Sequence, residues 1–172
     1  MKPPLLPMEK LARVTRLARL DGMSILVVAG GFALISASAK DITGALVGLL
    51  VAGGGALELH GVGLLRARRV DGMRWLVSAQ LFLMAVILTY VSYRLAHPDV
   101  DFFLKIANDG PTAQVLQEAA EENGKTVKQV LMDLYNEGYT AVAVLTIIYQ
   151  GGMAVYYLKR RAAVESALSE QP

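Results

Sequence analysis

The chain reads as an all-α integral membrane protein. The expected architecture is a four-transmembrane-helix bundle made from two parallel helical-hairpin repeats, with an external helical hairpin between helices 3 and 4. Three observations lead there. Apolar residues make up 54 % of the 172 positions, and mean hydropathy is +0.42, above what a soluble domain of this size carries. Four apolar runs, at about 23–39, 42–65, 74–96 and 139–158, are each near the roughly 20 residues that cross a hydrocarbon core. Finally, Arg19-Leu20-Asp21-Gly22-Met23 returns fifty positions later as Arg69-Val70-Asp71-Gly72-Met73, with eight identities over fourteen positions. Each copy opens an apolar run, and each is followed by a second run ending in a basic cluster, Arg66, Arg68 and Arg69 or Lys159, Arg160 and Arg161.

Residues 1–20 form a basic, amphipathic segment on the cytoplasmic side. Met8, Leu11, Ala12, Thr15 and Ala18 share one helical face, and Lys10, Arg13, Arg16 and Arg19 surround it. Such a segment can lie among anionic headgroups, at roughly 1 kcal/mol per basic side chain, or serve as a plain positive flank. The apolar core at 25–35 followed by Ala37-Ser38-Ala39 resembles a cleavable secretory signal. Because it is one half of the repeat, it is read as a retained helix.

Residues 21–69 make the first membrane hairpin and 70–96 the third membrane helix. Asp21 and Asp71 are expected at helix starts, capping free N–H groups and complementing the helix dipole. The alternative is a phosphate or headgroup site formed with Arg19 and Arg69. Residues 97–138 form the external acidic segment, with eight acids against Lys105, Lys125 and Lys128. Pro111 and Thr112 lead into a helix over 113–123, stopped by Gly124. Thr126 and Gln129 make a capping box for 127–137, stopped by Gly138. Val115, Leu116 and Ala119, with Val127, Val130, Leu131 and Leu134, mark the faces of that hairpin. Phe102, Phe103, Leu104, Tyr90, Tyr93, Tyr135 and Tyr139 are expected in the outer aromatic belt, and Trp75, Tyr156 and Tyr157 in the inner one. Residues 139–161 form the fourth membrane helix and 162–172 a cytoplasmic tail.

Orientation follows the basic flanks. Twelve of the 17 Lys and Arg lie beside the proposed inner ends, so both termini are expected in the cytoplasm of a bacterial inner membrane. The parallel repeat implies a pseudo-twofold axis along the membrane normal.

Ionisable and polar groups inside apolar runs are the best local pointers to chemistry. Glu58 stands out as the acid well inside one. It shares a helix face with Gly44, Gly55 and, nearby, Gly48, so a second helix should press there and turn Glu58 into the bundle. Counted from the basic anchors, Gln80 and Gln150 fall at the same depth. A hydrogen-bonded Glu58–Gln80–Gln150 layer, extended by Tyr149, is expected either as interhelical glue or as a proton or cation site.

His60 and His97 lie too far apart to share a metal or haem. The absence of Cys excludes thiolate sites and disulfides. No catalytic set, cofactor motif or metal motif is present, and the basic residues flank apolar runs rather than forming a nucleic-acid stripe. The expectation is a non-enzymatic multi-pass protein, structural or accessory, self-associating or bound to another membrane protein through Gly44, Gly48 and Gly55. The alternative is a small proton- or cation-coupled transporter or channel using Glu58.

Overall fold

The computed structural model describes residues 6–98 and 111–169, all helices and short turns. Five helices and no strand occur among the described residues: α1 (Pro7–Ser38), α2 (Ile42–Arg66), α3 (Gly72–Ala96), α4 (Pro111–Glu122) and α5 (Val127–Ser169). Four of them, α1, α2, α3 and α5, are long and apolar enough to cross a membrane, which makes the chain a multi-pass membrane protein. Phe102, Phe103 and Leu104 of the expected outer belt lie outside the described residues, as do Asp99, Asp101, Lys105 and Asp109.

Two helices differ from their expected bounds. α1 starts at Pro7 and passes through Asp21-Gly22 without a break. Pro7 supplies the fixed φ suited to a first turn, and Glu9 Oε2 accepts the Leu6 N–H at 3.1 Å. Gly138 likewise fails to stop α5, which runs through 43 residues, about 65 Å at 1.5 Å per residue. A helical Gly costs only about 1 kcal/mol relative to Ala. Gly124 does end α4, at φ +62°, and Thr126 and Gln129 form the expected reciprocal cap on α5 (2.9 and 3.3 Å).

The turns after α1 and α2 are built alike. Lys40 (φ 60°) and Arg68 (φ 58°) take left-handed conformations. The next N–H in each case reaches five residues back, Asp41 to Ser36 O and Arg69 to Leu64 O, both at 2.9 Å. Asp41 then caps α2 through Gly44 N at 3.0 Å.

The chain packs as two units, Met1–Ile87 with Thr146–Pro172, and Leu88–Leu145. In the first, α1 and α2 meet along small residues. A Cβ on Gly48 would stand 2.9 Å from Ala33 Cα, and one on Gly55 2.7 Å from Gly22 O. The glycine face of α2 is therefore covered by α1, as the bare-face argument requires. Gly72 makes the corresponding approach from α3, against Gly61 O at 2.5 Å. The repeated glycine thus lets α1 and α3 each close on α2.

The first unit's core joins Val14 and Ala18 of α1, Val62 and Leu65 of α2, Met73 and Leu76 of α3, and Tyr157 and Val164 of α5. Val14 and Ala18 have no exposed surface. The basic segment is therefore bundle core along Val14–Ala18–Gly22, with Arg13, Arg16 and Arg19 outside. Met8 and Ala12, expected on the apolar face, are exposed.

In the second unit, Arg94 sits among tyrosines. Its Nε donates to Tyr139 Oη at 3.1 Å, Tyr135 Oη donates to the Arg94 carbonyl at 2.9 Å, and both rings lie within 6 Å of the guanidinium. Tyr90 meets Tyr139 edge-on. On α4, Leu116 and Ala120 are buried, while Val115 is 64 % exposed.

Candidate functional site in the helix bundle

Val14, Leu65, Met73 and Val164, one from each of α1, α2, α3 and α5, belong to one buried core cluster. Two turns or about 10 Å away along each helix, seven residues after Val14 and Met73 and seven before Leu65 and Val164, stand Asp21, Gln80, Glu58 and Tyr157. Seven residues is close to a whole number of turns, so each of the four keeps the inward face of its core partner. The helices thereby bring one polar side chain each to a common layer.

These side chains are hydrogen-bonded in series. Tyr149 Oη donates to Asp21 Oδ1 at 2.7 Å. Gln80 Nε2 donates to Asp21 Oδ2 at 3.2 Å and to Glu58 Oε1 at 3.0 Å. Tyr157 Oη donates to the same Glu58 Oε1 at 2.6 Å. Exposure falls along the series: Tyr149 is 49 % exposed, Asp21 half-buried, and Glu58, Gln80 and Tyr157 have no exposed surface. Among the described residues, three buried side-chain oxygens carry no hydrogen bond, Glu58 Oε2, Gln80 Oε1 and Gln150 Oε1. No Lys, Arg or His bonds to either acid among the described residues.

The expected layer is thus partly assembled. Glu58 and Gln80 meet, and Tyr149 belongs to the network. Gln150 is buried at 7 % exposure but bonds to neither. Its place is taken by Tyr157, seven residues on and so on the same face of α5. Counting depth from Lys159 assumed that the basic cluster ends the membrane helix level with Arg66. In fact α5 continues to Ser169, and Val164, beyond Lys159, packs in the same core cluster as Leu65. A long side chain on a helix also leans toward its N-terminus, which carries the Tyr157 hydroxyl back toward Glu58.

Two residues escaped the sequence reading. Tyr157, expected in the inner belt, is fully buried core, whereas Trp75 (38 % exposed) lies against His60 and Tyr156 is partly buried beside Arg160. Asp21, expected to cap a helix start, is the second. It is a mid-helix residue, and its carboxylate serves the network instead. The signal available was the good helix-forming run before it, which leaves no reason for a helix to begin at Asp21. Its repeat counterpart Asp71 does precede α3, but its carboxylate pairs with Arg69 at 3.2 Å, exposed. Arg19 and Asp21 make no ion pair, so the two copies do not form matching sites.

Among the described residues no group of three His, Cys, Asp or Glu side chains could hold a metal. Comparison with protein-family models, with curated proteins and with solved structures finds no match to this chain.

Proposed function

We propose that this is a small ion-coupled membrane protein in which the Asp21–Gln80–Glu58 series takes up and releases a positive charge, a proton or a small cation. One observation carries the reading: two carboxylates share a single amide inside a helix bundle, with no basic partner among the described residues. Charge buried in a membrane costs a few kcal/mol or more. Two negative charges side by side add mutual repulsion that a low dielectric strengthens, so the pair favours binding a positive charge.

In this proposal the chain stands in a bacterial inner membrane as two parallel helical hairpins with both termini cytoplasmic. The acidic 97–138 segment is outside, and Arg13, Arg16 and Arg19 face anionic headgroups. Proteoliposomes test the function. An imposed pH or cation gradient should dissipate through the wild-type protein and not through Glu58→Gln. A wild-type protein silent to protons, Na⁺ and K⁺ overturns the proposal.

A second reading, a structural or accessory module that associates with itself or another membrane protein, finds support elsewhere than at Gly44, Gly48 and Gly55, which α1 covers. Gly30, Gly31, Gly151 and Gly152 have no neighbour within 4 Å of an added Cβ, and open small residues are where a partner helix approaches closely. Gly152→Leu should then lower the detergent-solubilised mass. An unchanged mass for that variant and for Gly31→Leu removes the reading.

A further inference from the structure

We infer that the positive charge bound here is one proton, held on Glu58 Oε2 and donated to Gln80 Oε1, so that acid and amide form a cyclic pair. This rests on the ion-binding reading above and names its ligand.

The two carboxylates offer four oxygens, and three already accept hydrogen bonds. Asp21 Oδ1 accepts from Tyr149, Asp21 Oδ2 from Gln80, and Glu58 Oε1 from both Gln80 and Tyr157. Each donor turns the positive end of an N–H or O–H dipole toward the acids, into the space that a metal ion would occupy. A hard cation such as Ca²⁺ gathers about six to eight oxygens. Here a single carboxylate oxygen, Glu58 Oε2, is without a partner. That is room for one proton.

Gln80 supports the same count. Its amide nitrogen has two hydrogens, one directed to each acid. Its Oε1 is buried and without a partner, as is Glu58 Oε2. With Glu58 ionised both atoms are acceptors, and buried acceptors left unpaired are rare because each forfeits its bond to water. A proton on Oε2 converts that atom to a donor and gives Gln80 Oε1 the hydrogen it lacks. One added atom therefore satisfies both oxygens, on two residues already joined through Nε2 and Oε1.

The charged and titratable groups facing Glu58 are Asp21 from α1 and Tyr157 from α5, with Tyr149 bonded to Asp21. When the proton leaves Glu58 Oε2, the O–H electron pair stays on that oxygen. The proton passes to the carboxylate of Asp21, which Gln80 holds beside it. Asp21 is the half-buried exchange position and Glu58 the occluded one.

Infrared spectroscopy of the full chain in lipid vesicles tests this. The wild type should show the carbonyl stretch of a protonated carboxyl that Glu58→Gln lacks. The band should titrate with pH, ignore added NaCl, KCl or CaCl₂ at fixed pH, and shift in Gln80→Leu, where its acceptor is gone. Spectra of wild type and Glu58→Gln that agree at every pH overturn the inference. Loss of the band on adding one of the salts also overturns it, by showing that a cation displaces the proton. The salt series needs only the wild type, so it decides even if a variant does not fold. A Glu58 band without flux leaves the proton site standing and removes ion coupling. Flux coupled to a metal cation without the band does the reverse.

Discussion

Within the polar layer, the consequence of losing a side chain depends on what it leaves unpaired. Tyr157→Phe removes one 2.6 Å bond, yet Glu58 Oε1 keeps its bond from Gln80, so a cost of about 1 kcal/mol is expected. Glu58→Leu leaves the Tyr157 hydroxyl and one Gln80 N–H without acceptors in a site that water does not reach, which should cost about 1–3 kcal/mol for each stranded group. Glu58→Gln preserves an acceptor for both and adds an N–H for Gln80 Oε1, so stability should barely change. Thermal unfolding in detergent checks the order, with Glu58→Gln mildest and Glu58→Leu worst. Equal loss in all three would mean that the layer does not hold the bundle.

Helices in this chain are positioned by where backbones can touch. Gly55 meets Gly22 and Leu26 backbone within 3 Å of an added Cβ, whereas Gly53, two residues away on the same helix, meets nothing within 4 Å. Gly55→Ala should push α1 from α2 and destabilise by about 1–3 kcal/mol, the usual range for overpacking. Gly53→Ala should be neutral or stabilising by up to about 1 kcal/mol through helix propensity. Comparing the two midpoints in one denaturant series separates packing from propensity. At the other end of the chain the turn between α4 and α5 rests on local chemistry. Thr126→Ala should cost about 1 kcal/mol of cap, seen as faster amide hydrogen exchange over 127–130. The nearby Lys125 ammonium, 2.7 Å from Asp133, is held above its ordinary range by that hydrogen bond and the adjacent charge. The pair's small, exposed contribution is present below the ordinary lysine range and is lost as pH rises through the raised value.

At the scale of the whole molecule, the bundle continues past the apolar part of the chain. Val14, Ala18 and Val164 are fully buried among helix ends that carry Arg13, Arg16, Arg66, Arg160 and Arg161. The basic flanks are thus scaffolded by a packed core rather than loosely attached to lipid. Val14→Asp should accordingly destabilise the folded protein, where a segment merely resting on headgroups would tolerate it. Reporter fusions address orientation. A fusion at Arg69 should report the cytoplasm and one at Asn123 the exterior, and a cytoplasmic signal from Asn123 reverses the proposed topology.

The four spans were legible in the sequence because lipid imposes a local rule: about 20 apolar residues with every backbone group bonded within the helix. The bare face of α2 was legible for the same reason, since Gly44, Gly48 and Gly55 have too little side chain to do anything but admit a neighbour. Glu58 and Gln80 could be named because polar groups in such runs must find partners. The levels at which helices align were not legible. Asp21 reads as a cap and Tyr157 as a belt residue until α1 and α5 are seen to continue beyond the apolar runs and pack through Val14 and Val164. Lipid measures each helix separately by its hydrophobic length. Only the meeting of four helices, Gly22 on Gly55 and Gly72 on Gly61, decided which rung of one faces which rung of the next.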